Sequence, residues 1–176
     1  ISILEIGFGT GLNAFMTFLE AKKRNLNIEY SGVEAYPISI VQAGQLNYAS
    51  LIEPQENPDF FVNLHQLPWD VPFFLSDRFK LEKVLKKFDV LDFKGQFDIV
   101  YFDAFAPDAQ PELWSDEMME KMYLALHPDG ILVTYCAKGT VKRSLKKAGF
   151  SIEALPGPPG KREMTRATKN KHPLQF

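Results

Sequence analysis

An open, mostly parallel α/β sheet that closes in an antiparallel hairpin is the architecture this sequence predicts, and three observations lead to it. Around Ser2-Ile-Leu-Glu-Ile-Gly-Phe-Gly-Thr-Gly-Leu-Asn13, the apolar residues Ile1, Ile3, Leu4 and Ile6 suit a strand buried on both faces, and Leu12, Phe15, Met16 and Leu19 then recur at helical spacing. Strand-like and helix-like segments alternate from there onward. The last two strand-like segments are joined only by the turn Pro156-Gly-Pro-Pro-Gly-Lys161, which makes a hairpin rather than another crossover.

Gly7, Gly9 and Gly11 let the backbone between the first strand and helix bend tightly and leave room for a ligand against main chain. Free N–H groups at the helix start point at that space. The dinucleotide fingerprint G-x-G-x-x-G/A wants Gly or Ala at position 12, where Leu12 stands, and the third glycine comes one residue early. Glu5-Ile-Gly7-Phe-Gly9-Thr-Gly11 instead resembles motif I of the class I S-adenosylmethionine-dependent methyltransferases, a Rossmann-like fold in which the acidic residue lies near the methionine end of the cofactor. A structural turn with no ligand is the other reading of the same glycines.

In order along the chain, Ile28-Glu-Tyr-Ser-Gly-Val-Glu34 reads as the second strand and Ile38 to Tyr48 as a helix introduced by Pro37. Glu34 ends that strand about twenty residues beyond the glycine turn, where an acidic side chain accepts hydrogen bonds from ribose hydroxyls; otherwise it is an exposed turn residue. From Asn57 to Phe79 the alternation breaks. Phe60, Phe61, Trp69, Phe73, Phe74 and Phe79 crowd a segment punctuated by Pro58, Pro68 and Pro72, the pattern of a packed irregular excursion, and Trp69 is given no catalytic role.

Phe79 to Lys87 is the third strand. In the loop after it, Asp89 can accept a bond from an adenine amine, with Asp92 close enough to compete. Phe97-Asp-Ile-Val-Tyr-Phe-Asp103 is the fourth, and its end faces the crevice in which open parallel sheets bind ligands. A carboxylate there can hydrogen-bond an incoming amine, orient its lone pair toward a sulfonium methyl and take up its proton, or it can bond its own turn before Pro107. Ser115 caps a helix reaching about Leu126, and His127-Pro-Asp-Gly130 turns into a strand over Ile131 to Tyr135. A basic helix from Lys138 to Lys147 and the strands Phe150 to Leu155 and Arg162 to Thr168 complete seven strands in one domain over residues 1–176.

The composition suits a globular domain: 45% of the 176 residues are hydrophobic and 13% aromatic. Neither a bilayer-length apolar span nor a signal-peptide pattern is present, so a cytoplasmic protein is expected. Cys136 is the sole cysteine and His65, His127 and His172 are far apart, so neither a disulfide nor a metal is expected. Ile1 already stands inside a strand without an initiator methionine, and the natural chain is expected to begin earlier.

The net charge of −2 is unevenly distributed. Residues 138–172 carry ten Lys and Arg against Glu153 and Glu163, a local balance of +8 that leaves −10 for the remainder. Such asymmetry fits a polyanionic partner at one end, with Lys142, Arg143, Lys161, Arg162 and Arg166 as phosphate contacts; a solvated basic face is the plainer reading.

Three separated motifs sharpen the assignment. Glu-Ile-Gly-Phe-Gly-Thr-Gly-Leu-Asn13, Phe-Asp-Ala-Phe-Ala-Pro-Asp-Ala-Gln-Pro-Glu-Leu-Trp114 and Gly-Lys-Arg-Glu-Met164 together resemble the bacterial tRNA 5-methylaminomethyl-2-thiouridine methyltransferases, the methyltransferase half of MnmC or its stand-alone form, MnmD. The resemblance implies methylation of the 5-aminomethyl group of wobble 5-aminomethyl-2-thiouridine, with S-adenosylmethionine as donor and tRNA as partner. Carried across by motif, Glu5, Gly7, Phe8, Gly9, Gly11 and Asn13 line the cofactor loop, Glu34 meets the ribose, Asp89 lies near the adenine and Asp103 holds the substrate amine. A separate FAD-dependent oxidase acting upstream is implied as well, whereas no oxidase domain is expected in this chain, which carries no second glycine fingerprint. Two other readings stand beside this one: a polyamine synthase, which shares the sheet and an Asp after the fourth strand, and a nucleotide- or RNA-binding module without chemistry.

Overall fold

The computed structural model describes residues 1–53, 59–157 and 159–170. Asn57 and Pro58 of the aromatic segment, Pro158 of the turn, and Lys171 and His172 of the basic end lie outside the described residues. In chain order the elements are strand β1 (Ser2–Ile6), helix α1 (Leu12–Arg24), β2 (Ile28–Glu34), α2 (Ile40–Gly44), α3 (Tyr48–Ile52), α4 (Asp59–Gln66), β3 (Pro72–Ser76), β4 (Phe79–Leu85), β5 (Phe97–Phe102), α5 (Asp116–Ala125), β6 (Leu126–Thr134), α6 (Gly139–Lys147), β7 (Ser151–Pro156) and β8 (Glu163–Thr168). One sheet holds every strand, in the order β3-β4-β2-β1-β5-β6-β8-β7. The five strands from β4 to β6 run parallel, while β3 and the β7–β8 hairpin are antiparallel to their neighbours.

The most apolar run of the sequence occupies the middle of this sheet because only a central strand is covered on both faces. Four of the five residues of β1 are buried. Leu4 and Ile6 pack with Val100, Phe102 and the α5 methionines Met118, Met119 and Met122, whereas Ile3 packs with Ala14, Phe18 and Ala21 of α1. The chain leaves β1 toward β2 on one side, and β5 lies on the other. The connections that leave β1 and β5 therefore run to opposite sides of the sheet and open a crevice above the strand ends, the place where doubly wound sheets bind ligands.

The sheet has eight strands rather than seven. The added strand, β3, comes from the segment read as irregular: Pro72, which has no N–H to donate, starts an edge strand, and Phe73 pairs with Leu81 across a short turn. The same segment supplies α4. The expected helix over Ile38 to Tyr48 is instead two short ones, because Ser39 and Gln42 form a reciprocal capping box at the first and Gly44 ends it before α3 begins. His127 to Gly130 lies within β6 rather than in a turn before it. Asp129 takes a left-handed φ of 65°, yet its N–H donates to the Lys169 carbonyl at 2.7 Å and the Gly130 carbonyl accepts from Lys169 N at 2.9 Å, so the ladder absorbs the kink. Among the described residues, no helix is long and apolar enough to cross a membrane, and no cluster of His, Cys, Asp and Glu could hold a metal ion.

Candidate active site at the strand ends

Beyond Ile6 the main chain is clamped to its neighbours. The N–H groups of Gly7 and Phe8 both donate to the Val33 carbonyl at 3.0 Å, and Asp103 N donates to the Ile6 carbonyl at 3.0 Å. A Cβ at Gly7 would stand 2.9 Å from the Asp103 carbonyl oxygen, so glycine is what lets the ends of β1 and β5 approach this closely. Gly9 serves the opposite purpose. With φ at +51°, a Cβ there would meet only the Gly7 carbonyl oxygen, at 3.8 Å, and the space above it is left open. That space belongs to a cavity of about 570 Å³ whose wall includes Glu5, Gly7, Phe8, Gly9, Asn13, Glu34 and Asp103. Residues from three separate stretches of the sequence thus share one ligand-sized hollow.

Gly11 and Asp89 stand differently. Gly11 caps α1, and a Cβ on it would press on Leu64 and Phe8 at 3.2 Å, under the loop rather than in the cavity wall. In the single 3-10 turn after β4, Phe88 is the residue lining the cavity. Asp89 is exposed beside it, its main-chain carbonyl accepting from Lys121 Nζ, and Asp92 pairs with Lys94 at 3.1 Å.

The aromatic segment supports the glycine loop from below, a role its spacing did not signal. Phe8 is buried, with its ring so close over Gly32 that a Cβ there would come within 2.4 Å of it. His65 and Trp69 meet the ring edge-on at 5.9 and 6.0 Å, and His65 Nε2 lies 2.9 Å from the Thr10 carbonyl. Lys83, itself buried, donates to the His65 carbonyl at 2.8 Å and lies over Trp69, and the loss of water lowers its pKa to about 8. The loop therefore rests on a packed floor, which reduces the ordering cost of receiving a ligand.

Three carboxylates surround the cavity in different environments. Glu34 is a clasp: its Oε2 accepts from Gly9 N and its Oε1 from Ala35 N and Tyr36 N, each at 2.9 Å, which leaves about one of a carboxylate's four lone-pair positions free. Glu5 is fully buried, accepting from Asn13 Nδ2 and Tyr30 Oη at 2.9 Å. Burial pushes its carboxyl from 4.5 up to about 8, against those two hydrogen bonds. Asn13 Nδ2 also donates to Asp103 Oδ2 at 2.9 Å, so one amide joins the acid of the glycine motif to the acid after β5. Asp103 still reaches solvent, but the crevice walls strip enough water to raise its pKa, while Asn13 and the charge of Lys161 pull it down.

The main chain after Asp103 is held by two aromatic donors that sequence reading overlooked. Tyr135 Oη donates to the Ala104 carbonyl at 2.9 Å, and Trp114 Nε1 to the Phe105 carbonyl at 2.8 Å. The position of Tyr135 just past the end of β6 was the available signal, since that end borders the same crevice. Pinned in this way, Phe105 keeps its ring 74% exposed at the cavity. Of the basic residues, Lys142 pairs with Glu163 at 2.7 Å and Arg166 with Glu153, whereas Arg143, Lys161 and Arg162 make no ion pair among the described residues. Lys161, from the β7–β8 turn, lies 4.0 Å over the Tyr135 ring.

Comparison with known proteins agrees with this geometry. A protein of Leptospira borgpetersenii serovar Hardjo-bovis named tRNA 5-methylaminomethyl-2-thiouridine biosynthesis bifunctional protein MnmC is 30% identical over 180 residues, covering 98% of this chain and 28% of the relative. Its counterpart from Pseudomonas syringae pv. syringae is 32% identical over 177 residues, covering 93% and 26%. The chain thus spans under a third of the length of these curated relatives. Among solved structures, MnmC2 from Aquifex aeolicus superposes with a TM-score of 0.71 at 22% identity, covering all of this chain and 56% of that one. A spermidine synthase superposes with a TM-score of 0.58 at 18% identity, covering 98% of this chain and 54% of that one, which shows a shared fold. The profile of a family described as S-adenosyl-L-methionine-dependent methyltransferase matches residues 77–170, over half the chain. With the glycine loop, the crevice and that match in agreement, the chain belongs to the S-adenosyl-L-methionine-dependent methyltransferase family.

Proposed function

We propose that this chain is the methyltransferase domain that N-methylates the 5-aminomethyl group of wobble 5-aminomethyl-2-thiouridine in tRNA, giving 5-methylaminomethyl-2-thiouridine. The observation that carries the reading is the placement of Asp103: its carboxylate is tied through Asn13 to Glu5 of the glycine motif, at the open end of the cofactor cavity. The likeness of nearly the whole chain to MnmC proteins supports the substrate, and the polyamine synthase, which shares only the fold, is not favoured.

The residues present fit S-adenosylmethionine. Gly9 leaves an open cradle, Glu34 has acceptor capacity for ribose hydroxyls, and Glu5 offers a buried carboxyl to a cationic end, with Phe88 and its neighbour Asp89 on the adenine side. When bound, this cofactor supplies an electrophilic methyl group on a sulfonium, the C–S bonding pair staying on sulfur as the incoming nitrogen's lone pair forms the new C–N bond. Asp103 orients the amine and takes the proton the nitrogen must shed, and the half-excluded water of the crevice favours that hand-over. An upstream FAD-dependent oxidase would supply the aminomethyl precursor, in keeping with the bifunctional relatives, and a cytoplasmic location follows from a tRNA substrate.

Transfer of labelled methyl to tRNA from a strain lacking this enzyme tests the reading, and incorporation at a position other than the wobble uridine would refute it. Gly9→Val should abolish S-adenosylmethionine binding by calorimetry, because its side chain enters the open cradle and strains a positive φ. Tight NADH binding by the parent would contradict the cofactor assignment.

The basic end is the proposed tRNA surface, with Lys142 and Arg166 exchanging their carboxylate partners for phosphates. Arg143 and Arg162 make no ion pair among the described residues, so replacing both with Gln should flatten the salt dependence of tRNA binding by about two units of log slope, at ~0.9 per contact. Cofactor affinity should stay constant, and an unchanged slope would return these side chains to a solvated surface.

A further inference from the structure

The hairpin that closes the sheet brings a cation to the place where an amine must be neutral. Lys161 Nζ stands 4.0 Å from the centroid of the Tyr135 ring, and that ring lines the cavity containing Asp103. The Tyr135 hydroxyl donates to the carbonyl of Ala104, the residue next to Asp103, so the platform under Lys161 is tied to the loop that carries the acid. The other lysines nearby are engaged: Lys138 pairs with Asp108, and Lys142 with Glu163. The ionisable groups lining this space are Glu5 from β1, Glu34 at the end of β2 with Tyr36 beyond it, Asp103 after β5 and Tyr135 after β6, with Lys161 of the hairpin over the Tyr135 ring and Tyr30 and Tyr101 behind Glu5. Lys161 is therefore the cation set against a group of acids.

We propose that Lys161 is a positioning residue that keeps the substrate amine neutral: its ammonium, seated on Tyr135 at the cavity rim, disfavours a second cation beside Asp103. The inference rests on the aminomethyl reading above and names how the same site prepares its nucleophile. The carboxylates of Glu34 and Asp103 alone would hold an arriving ammonium in its charged form, and an ammonium has no lone pair with which to attack. A fixed positive charge opposes that tendency while leaving Asp103 ionised to receive the proton shed as the C–N bond forms. Asp103 already feels this charge, which counteracts the upward pull of desolvation on its carboxyl. Lysine suits the role because its charge is compact, and the cation–π contact fixes its position without neutralising it.

Single-turnover rates for Lys161→Met and Lys161→Arg, at saturating tRNA and cofactor across a pH series, test the proposal. The acidic limb of the Met profile should move up by about half to one pH unit, the order of the interaction between two unit charges that are not in contact in a solvated cleft. Its rate should recover at high pH, and Arg should restore most of the parental profile. With an isotopically labelled amine nitrogen, the NMR titration of the bound amine should shift in the same sense. If the Met profile superimposes on that of the parent and only tRNA affinity and its salt slope fall, Lys161 is a phosphate contact and the inference is wrong. If the parent fails to methylate aminomethyl-bearing tRNA, the substrate reading falls and takes the inference with it.

Discussion

Asp103→Asn should lower the single-turnover rate on aminomethyl-bearing tRNA by ~10² to 10⁴-fold, the range that a positioned acid–base group contributes. The substitution keeps the shape and one acceptor oxygen, so the Asn13 amide still has its partner and the loop stays pinned by Tyr135 and Trp114. What disappears is the negative charge and most of the basicity. S-adenosylmethionine binding should remain within a few-fold of the parent, and the residual rate should climb with pH as free amine accumulates. Rates across a pH series, with cofactor affinity measured alongside, check both parts. An Asn variant that methylates at the parental rate would make Asp103 a turn residue and send the proton out by another path.

Glu5→Gln should change how the stability of the ligand-free chain depends on pH. The Glu5 carboxyl is fully enclosed, and burial moves it from 4.5 to about 8. Between those values the folded chain holds a proton that the unfolded chain has released. Stability from this group is thus full below pH 4.5 and is lost as pH rises toward 8, at up to about 1.4 kcal/mol per unit. A Gln amide accepts from Asn13 through its oxygen, donates to Tyr30 through its nitrogen, and has no proton to lose. The melting temperature of the variant relative to the parent should therefore rise by several degrees between pH 5 and pH 9, at roughly 2–4 °C per kcal/mol for a chain of this size. A difference that stays constant with pH would mean that Glu5 is ionised in the fold.

The sequence by itself determined the alternating sheet, the central position of β1, the glycine loop above it, and three of the four acids expected there, Glu5, Glu34 and Asp103, whereas Asp89 stands outside the cavity wall. These were legible because each depends on a local rule: an unbroken apolar run needs cover on both faces, a glycine cluster permits a bend that other residues resist, and a carboxylate at the end of a parallel strand falls in the crevice whatever the loops do. The eighth strand was not legible, since Pro72 and the aromatics around it satisfy an edge strand as well as an irregular loop. Only the tertiary structure decided that Phe8 is a buried support over Gly32, that His65 and Trp69 hold it there, and that Gly11 turns toward them instead of toward the cavity. It alone paired Lys142 and Arg166 with Glu163 and Glu153, separating them from Arg143, Lys161 and Arg162. Contacts such as Asn13 with Asp103, 90 residues apart, or Lys161 with Tyr135, leave no period or spacing in a single chain, because they arise from the order of strands in the sheet.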